Sequence, residues 1–115
     1  MAEKFKAAQQ LDGEFLLLRE AARKGSAPAA LALGEMYDPA TYTPETSPLP
    51  APNPAQAAAW YRQAAEAGIA QAQYRLGMLL MSGKTDEPNG PEVGISWLRK
   101  AADQGLAEAK EALPK

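Results

Sequence analysis

The sequence predicts an all-α protein, a short solenoid in which pairs of antiparallel helices stack on one another. Three features that recur along the chain predict it. An alanine pair is followed by a glycine three times, at Ala21-Ala22 and Gly25, Ala64-Ala65 and Gly68, and Ala101-Ala102 and Gly105. A bulky couple precedes each alanine pair: Leu17-Leu18, Trp60-Tyr61 and Trp97-Leu98. The glycines lie 43 and 37 residues apart, and an internal period of this length is typical of stacked helical repeats.

The composition bounds the class of protein and its chemistry. The 115 residues suit one domain, and a 46% hydrophobic content is high enough for a packed core. The chain has no cysteine and no histidine, which excludes disulfides and cysteine-based zinc sites and removes the commonest general base. Its net charge of −2, with charges of both signs interspersed, argues against a nucleic-acid partner.

The first helix of each unit carries the bulky couple and the alanine pair. Tyr61 and Ala65 lie four residues apart and therefore share a helix face, as do Trp60 and Ala64. Alanine allows the next helix to approach closely, and the large rings fill the space between units. Gly68 follows the last turn, where a left-handed backbone that favours glycine ends many helices. Gly25 and Gly105 occupy the equivalent position in the other two units.

The second helix of the central unit begins directly after this turn, in the stretch IAQAQYRLGMLL. Ala70, Gln73 and Gly77, together with Leu76 and Leu80, recur at three- and four-residue steps, which is the helical period. A glycine inside a helix costs about 1 kcal/mol relative to alanine. We therefore expect another helix to cross at Gly77 at short range.

The chain divides into three units and two connections. We predict a single domain over residues 1–115, with units at residues 14–38, 55–83 and 91–113, and a proline-rich excursion at 39–54. Residues 2–11 are predicted to form a short extra helix that stops at Asp12-Gly13. Within DPATYTPETSPLPAPNP the prolines exclude a helix interior, which predicts an extended or polyproline-like connection that ends with Asn53 as N-cap and Pro54 in the first turn. Residues 82–91 form the second, shorter loop.

The stretches WYRQAAEAGIAQAQYRLGMLLMSG and WLRKAADQGLAEAK resemble the Sel-1-like repeat, a relative of the tetratricopeptide repeat, and FLLLREAARKGSAPAALALGEMYD is a more divergent copy. The resemblance implies a right-handed α-solenoid of about three helix-turn-helix repeats. It implies an adaptor that binds other proteins, commonly in bacterial settings, in the cytoplasm or periplasm. The cysteine-stapled members and the penicillin-binding activity of some of them are not supported, since this chain has no cysteine.

Three groups of residues are candidates for partner contact, and each has a structural alternative. Trp60, Tyr61, Tyr74 and Trp97 could line a groove, but their repeated positions favour packing between units. The arginines after the bulky couples could each anchor a partner carboxylate, or Arg62 could pair with Glu66 and Arg99 with Asp103 along the helix. The excursion, with Tyr42, could cover a groove, dock on a partner, or set the angle between two repeats.

We therefore predict a protein–protein interaction module that binds a protein or peptide on its helical-repeat surface. The predicted contact residues are Arg62, Gln63, Glu66, Arg99, Asp103 and Tyr42. The alternative is a structural domain of a larger bacterial protein that self-associates through its terminal repeats. No motif for catalysis, a cofactor or a metal occurs, so we predict neither an enzyme nor a bound cofactor. No apolar run of about 18 residues is present, so we predict no membrane insertion.

Overall fold

Six helices follow one another in a computed structural model that describes residues 2–45 and 47–114. They are α1 (Ala2–Arg23), α2 (Ala27–Tyr37), α3 (Pro54–Glu66), α4 (Ala70–Met81), α5 (Gly90–Asp103) and α6 (Ala107–Ala112). No strand occurs within the described residues, which confirms the all-α class. Each helix packs mainly on its neighbours along the chain, and the molecule extends 52 × 26 × 25 Å. The architecture is the short helical-repeat solenoid that the sequence predicts.

The three predicted turns are built in the same way. Gly25, Gly68 and Gly105 have φ angles of +105°, +98° and +97°, in the left-handed region that favours glycine. The amide that follows each glycine donates to the carbonyl of the first alanine of the preceding pair, at 2.9 Å, 3.2 Å and 3.2 Å respectively. This six-residue closure satisfies carbonyls that the end of a helix would otherwise leave free. It reverses the chain at equivalent points in the three units.

The second helix of one unit crosses the first helix of the next at a glycine. A methyl group on Gly77 of α4 would lie 2.8 Å from the Gly94 carbonyl oxygen and 2.8 Å from Leu98 Cγ on α5. Gly34 of α2 lies against the Tyr61 ring of α3, where a methyl group would come within 2.9 Å of Cγ. The predicted short-range crossing at Gly77 is confirmed, and Gly34 repeats it one unit earlier.

Large side chains from successive units fill the core. The largest fully buried ones are Tyr61, Leu33, Leu76, Leu80 and Leu98. Trp60 and Trp97 are half-buried and pack against the main core, and Tyr74 is half-buried against a second cluster around Leu98. The packing role that we predicted for these rings is confirmed, with Tyr61 buried most completely.

Helix α1 is longer than the sequence suggests, because the predicted stop at Asp12-Gly13 is wrong. Gly13 lies inside a continuous 22-residue helix, and its φ is not among the positive values that would end one. A glycine within a helix costs about 1 kcal/mol relative to alanine, but ending the helix there would also forfeit backbone hydrogen bonds.

The excursion between α2 and α3 forms turns and bends over its described residues, so the predicted extended connection is wrong. Hydrogen bonds within the excursion, such as the one from the Tyr42 hydroxyl to the Leu49 carbonyl, fold it back, and it is tied at both ends. The Asn53 amide donates to the Tyr37 carbonyl at 2.8 Å, so the excursion returns to the helix from which it departs. Asn53 then caps α3 by accepting from the Gln56 amide at 3.2 Å, with Pro54 in the first turn. Both features of the predicted start of α3 are confirmed. The second loop is shorter than predicted, since α5 already begins at Gly90.

Candidate functional site

The predicted contact residues on α3 and α5 lie in register, one repeat apart. Arg62 and Arg99 are separated by 37 residues, as are Glu66 and Asp103. Arg99 and Asp103 are exposed on α5, and Glu66 is exposed on α3. Arg62 is only half-buried, with 37% of its side chain exposed. We call the exposed side chains of Glu66, Arg99 and Asp103 the outer stripe.

Arg62 pairs with a residue that is distant in sequence. Its Nη2 donates to Glu87 Oε1 at 2.7 Å, and Glu87 lies in the loop between α4 and α5. The pairing therefore joins α3 to the loop that leads into the next unit, rather than to Glu66 one helical turn away. No ion pair between Arg99 and Asp103 occurs within the described part of the chain. Arg99 is thus the freer of the two arginines.

Gln63 is also engaged within the protein. Its Nε2 donates to the Ala22 carbonyl at 2.7 Å, across the joint between the first two units. Gln104 performs the same task at the next joint, donating to the Gly68 carbonyl at 3.0 Å and to Gln73 Oε1 at 2.9 Å. Gln73 completes the chain by donating to the Ala65 carbonyl at 3.2 Å. These glutamines therefore hold the turns of neighbouring units together.

Tyr42 lies apart from the outer stripe. It lines a cleft of about 230 Å³ between the end of α2 and the excursion, together with residues such as Met36 and Ser47. Its hydroxyl donates to the Leu49 carbonyl at 2.9 Å, which closes the excursion on itself. The structure therefore places the six predicted contact residues in two regions, five on α3 and α5 and one in the excursion.

A buried carboxylate that sequence reasoning did not single out joins α2 to α3. Asp38 is 3% exposed, and its Oδ2 accepts from the Tyr61 hydroxyl at 2.8 Å. Its Oδ1 accepts from the Ala40 amide at 2.9 Å. Burial, and secondly the hydrogen bond to Asp38, raise the pKa of the Tyr61 phenol well above its ordinary value of 10.0. The phenol therefore stays protonated and keeps donating to the carboxylate.

A cleft of about 270 Å³ opens beside this pair, between the end of α2 and the outer side of α4. It is lined by Arg75, Tyr74, Met78 and Lys84, among others. The Arg75 Nε atom is buried and has no hydrogen-bond partner within the described residues. Buried hydrogen-bond donors usually have a partner. A ligand group that accepts a hydrogen bond from Arg75 Nε therefore fits this cleft, next to its apolar side chains. In the sequence, Asp38 and Arg75 look like ordinary charged surface residues, and no local signal distinguishes them.

The repeat geometry agrees with a comparison against known families. The model of the Sel1 repeat matches residues 27–69 and 70–106, which together make up more than half of the chain. The chain belongs to the Sel1 repeat family. Each matched unit of this Sel1 repeat protein runs from a second helix, through the connection, to the first helix and turn of the following unit. No curated protein matches the chain.

Family membership sets the general role of the fold. Sel1 repeats are helical repeats that generally mediate protein–protein interaction, and the family is not an enzymatic one. Over the described residues of this Sel1 repeat protein, no group of three or more metal-ligating side chains comes together. In the same residues, no helix combines the length and the apolar character needed to cross a membrane.

Proposed function

We propose that this Sel1 repeat protein is an adaptor that binds a partner protein or peptide along the first helices of its repeats. The observation that carries the proposal is the outer stripe, in which the exposed carboxylates of Glu66 and Asp103 recur at equivalent positions of α3 and α5 and Arg99 lies one turn from Asp103. Because the helices are fixed by packing at the glycine crossings, the backbone that carries the stripe is held in place. Binding a partner therefore costs side-chain entropy at the stripe but little backbone entropy.

The residues of the stripe and their neighbours have different roles in this proposal. Arg99 is exposed and has no ion pair within the described residues, so a partner carboxylate can bind it with two parallel hydrogen bonds. Glu66 and Asp103 offer acceptors to a basic or amide group of the partner. Arg62 and Gln63 are held by Glu87 and Ala22, and they set the geometry of the surface. Tyr42 is proposed as a separate contact from the excursion.

Affinity capture from the native source tests the proposal. The Arg99→Ala variant is expected to recover the partner about ten-fold less efficiently than the unmodified protein, because charge-assisted pairs at an interface are worth about 1.5 kcal/mol or more. The matched control is Lys110→Ala, which removes an exposed cation from α6 instead. Both variants should melt at the same temperature as the parent protein. Equal recovery by all three proteins would contradict the proposed surface.

A second candidate function is self-assembly through the terminal repeats. One observation favours it: Leu16 and Leu17 of α1 are 59% and 72% exposed, although most large apolar side chains of the described residues are covered. Sedimentation velocity over a range of concentrations tests it. A single monomeric species at every concentration would contradict self-assembly and would leave the adaptor proposal intact.

A further inference from the structure

The first helix carries an apolar face that the described chain covers only in part, since Leu18 and Ala21 are half-buried against the main core while Leu17 is open to solvent. Leu17, Leu18 and Ala21, with Glu14 at one end, line an open cleft of about 450 Å³ on α1. Leu17 is 72% exposed. An apolar surface on a helix of a repeat stack can take a further packed helix.

The same face is covered on both of the other first helices. Leu18 and Ala21 correspond to Tyr61 and Ala64 of α3, which lie 43 residues later. The equivalents on α5 are Leu98 and Ala101, and all four of these residues are fully buried. The covering element is in each case the second helix of the preceding unit. Gly34 of α2 lies against Tyr61, and Gly77 of α4 lies against Leu98. The internal repeat therefore shows which kind of element fits this face: a helix with a small residue at the crossing point.

Glu14 adds a requirement of charge. It stands where α3 has Ala57 and α5 has Gly94. A methyl group on Gly94 would lie 2.6 Å from the Gly77 carbonyl oxygen and 2.9 Å from Met81 Cγ of the covering helix. A helix that covered α1 in the same way would place its residue equivalent to Met81 beside the Glu14 carboxylate. Lysine or arginine suits that position better than methionine.

We propose that this face of α1 is the docking site for an amphipathic helix of a partner protein. The helix carries glycine or alanine at the crossing, leucines on either side of it, and lysine or arginine four residues after the small residue. The inference extends the proposed adaptor function, since it names a second surface and the kind of partner that fits it.

A second copy of this chain does not offer such a helix. Helices α2 and α4 are packed between their own neighbours. In the third unit, the residues equivalent to Gln73 and Gly77 are Lys110 on α6 and Pro114 just beyond it. Both are exposed, and neither provides the small residue that the crossing requires. A second copy of this chain is therefore not the expected occupant of the face.

A labelled peptide tests the proposal in fluorescence anisotropy with the full chain. The probe is a peptide of residues 69–83 with the substitution Met81→Lys, acetylated and amidated at its ends. It is expected to bind the unmodified protein, and the protein variant Leu17→Gln should weaken binding by about five-fold, because the residues equivalent to Leu17, which are Trp60 and Trp97, are half-buried. The matched control is Leu16→Gln, because Leu16 is also exposed but does not line the cleft.

Charge pairing provides an independent arm of the experiment. The variant Glu14→Gln should weaken binding of the substituted peptide by about three-fold and leave binding of the unmodified peptide unchanged, as expected for an exposed ion pair. Thermal melts establish that all variants remain folded.

Three outcomes would overturn the proposal. The first is that neither peptide binds at concentrations up to about 1 mM, which would place the affinity below that of a specific contact. The second is equal binding to the Leu17→Gln variant and the parent protein, which would show that the peptide merely exchanges with α4. The third is a concentration-dependent dimer that Leu17→Gln abolishes while no peptide binds, which would identify a second copy as the occupant. The Arg99→Ala capture experiment is unaffected by any of these results.

Discussion

The hydrogen bond between Tyr61 and Asp38 joins α3 to the end of α2, and its removal tests how the first two units are held together. The Tyr61→Phe variant keeps the ring against Gly34 and removes only the hydroxyl. The Asp38 carboxylate, 3% exposed, then loses the donor that lies 2.8 Å away and retains the Ala40 amide at 2.9 Å.

The expected loss at neutral pH follows from the charge and burial of the acceptor. A hydrogen bond to a charged group contributes about 1.5–3 kcal/mol, and the acceptor is only 3% exposed, so water from the neighbouring cleft replaces the lost donor only in part. We therefore expect Tyr61→Phe to lower the free energy of unfolding by about 2 kcal/mol. For a domain of this size, that corresponds to a decrease of roughly 6–10 °C in Tm.

The pH dependence of this loss has a definite sign. Burial, and secondly the bond to Asp38, raise the pKa of Tyr61 in the folded protein above its ordinary value of 10.0. Below about pH 10 the phenol is protonated in both states, and its stabilising contribution is complete. Above that pH the unfolded chain releases the proton while the folded protein retains it, so stability falls by about 1.4 kcal/mol per pH unit. The phenylalanine variant lacks this titration, and its deficit relative to the parent therefore shrinks.

Urea unfolding followed by far-UV circular dichroism, at about pH 7, 9 and 11, measures both effects. The control is Tyr42→Phe, whose lost bond is to the neutral Leu49 carbonyl and should be worth only about 0.5–1.5 kcal/mol. The reasoning would be refuted by a loss below about 0.5 kcal/mol for Tyr61→Phe at neutral pH. A deficit that stayed constant from pH 9 to 11 would separately refute the assigned direction of the pKa shift.

Two further predictions concern helix packing and helix capping. Gly77→Ala should destabilise the protein by about 1–3 kcal/mol in the same assay, because the added methyl group meets the Gly94 backbone oxygen at 2.8 Å. Gly13→Ala, on a helix position with open space around it, should instead stabilise it by up to about 1 kcal/mol, and a loss in both variants would show that the crossing is not the cause. Asn53→Ala should lower the stability by about 1 kcal/mol, because the Gln56 amide loses its cap, whereas Asn53→Asp should restore most of it. A stability unchanged by Asn53→Ala would contradict that role.

The candidate surface could be predicted only in part. The spacing of 37 residues identified Arg99 and Asp103 as equivalents of Arg62 and Glu66, and the structure exposes three of these four side chains. That Arg62 is held by Glu87 could not be read from the sequence. Glu66 lies one helical turn away, and only the position of a distant loop decides that Arg62 pairs with Glu87 instead.

The repeat itself was accessible from the sequence for a steric reason. The size of the side chain decides which residues can turn the backbone at Gly68. It also decides which residues can let a second helix cross at Gly77. Those requirements recur with the period of the fold, so a single chain displays them several times. The Asp12-Gly13 prediction failed because a glycine permits a helix to end without requiring it.

The sequence by itself determined the helices, the glycine turns and the stacking of successive units, since each follows from local backbone geometry and side-chain volume. Only the tertiary structure decided which polar groups are buried and with whom they pair: Asp38 with Tyr61, Arg62 with Glu87, and Gln104 with the preceding turn. The physical reason is that the free energy of a charge or an amide depends on its dielectric surroundings and on partners far away in the chain. Neither quantity is defined until the units have packed together.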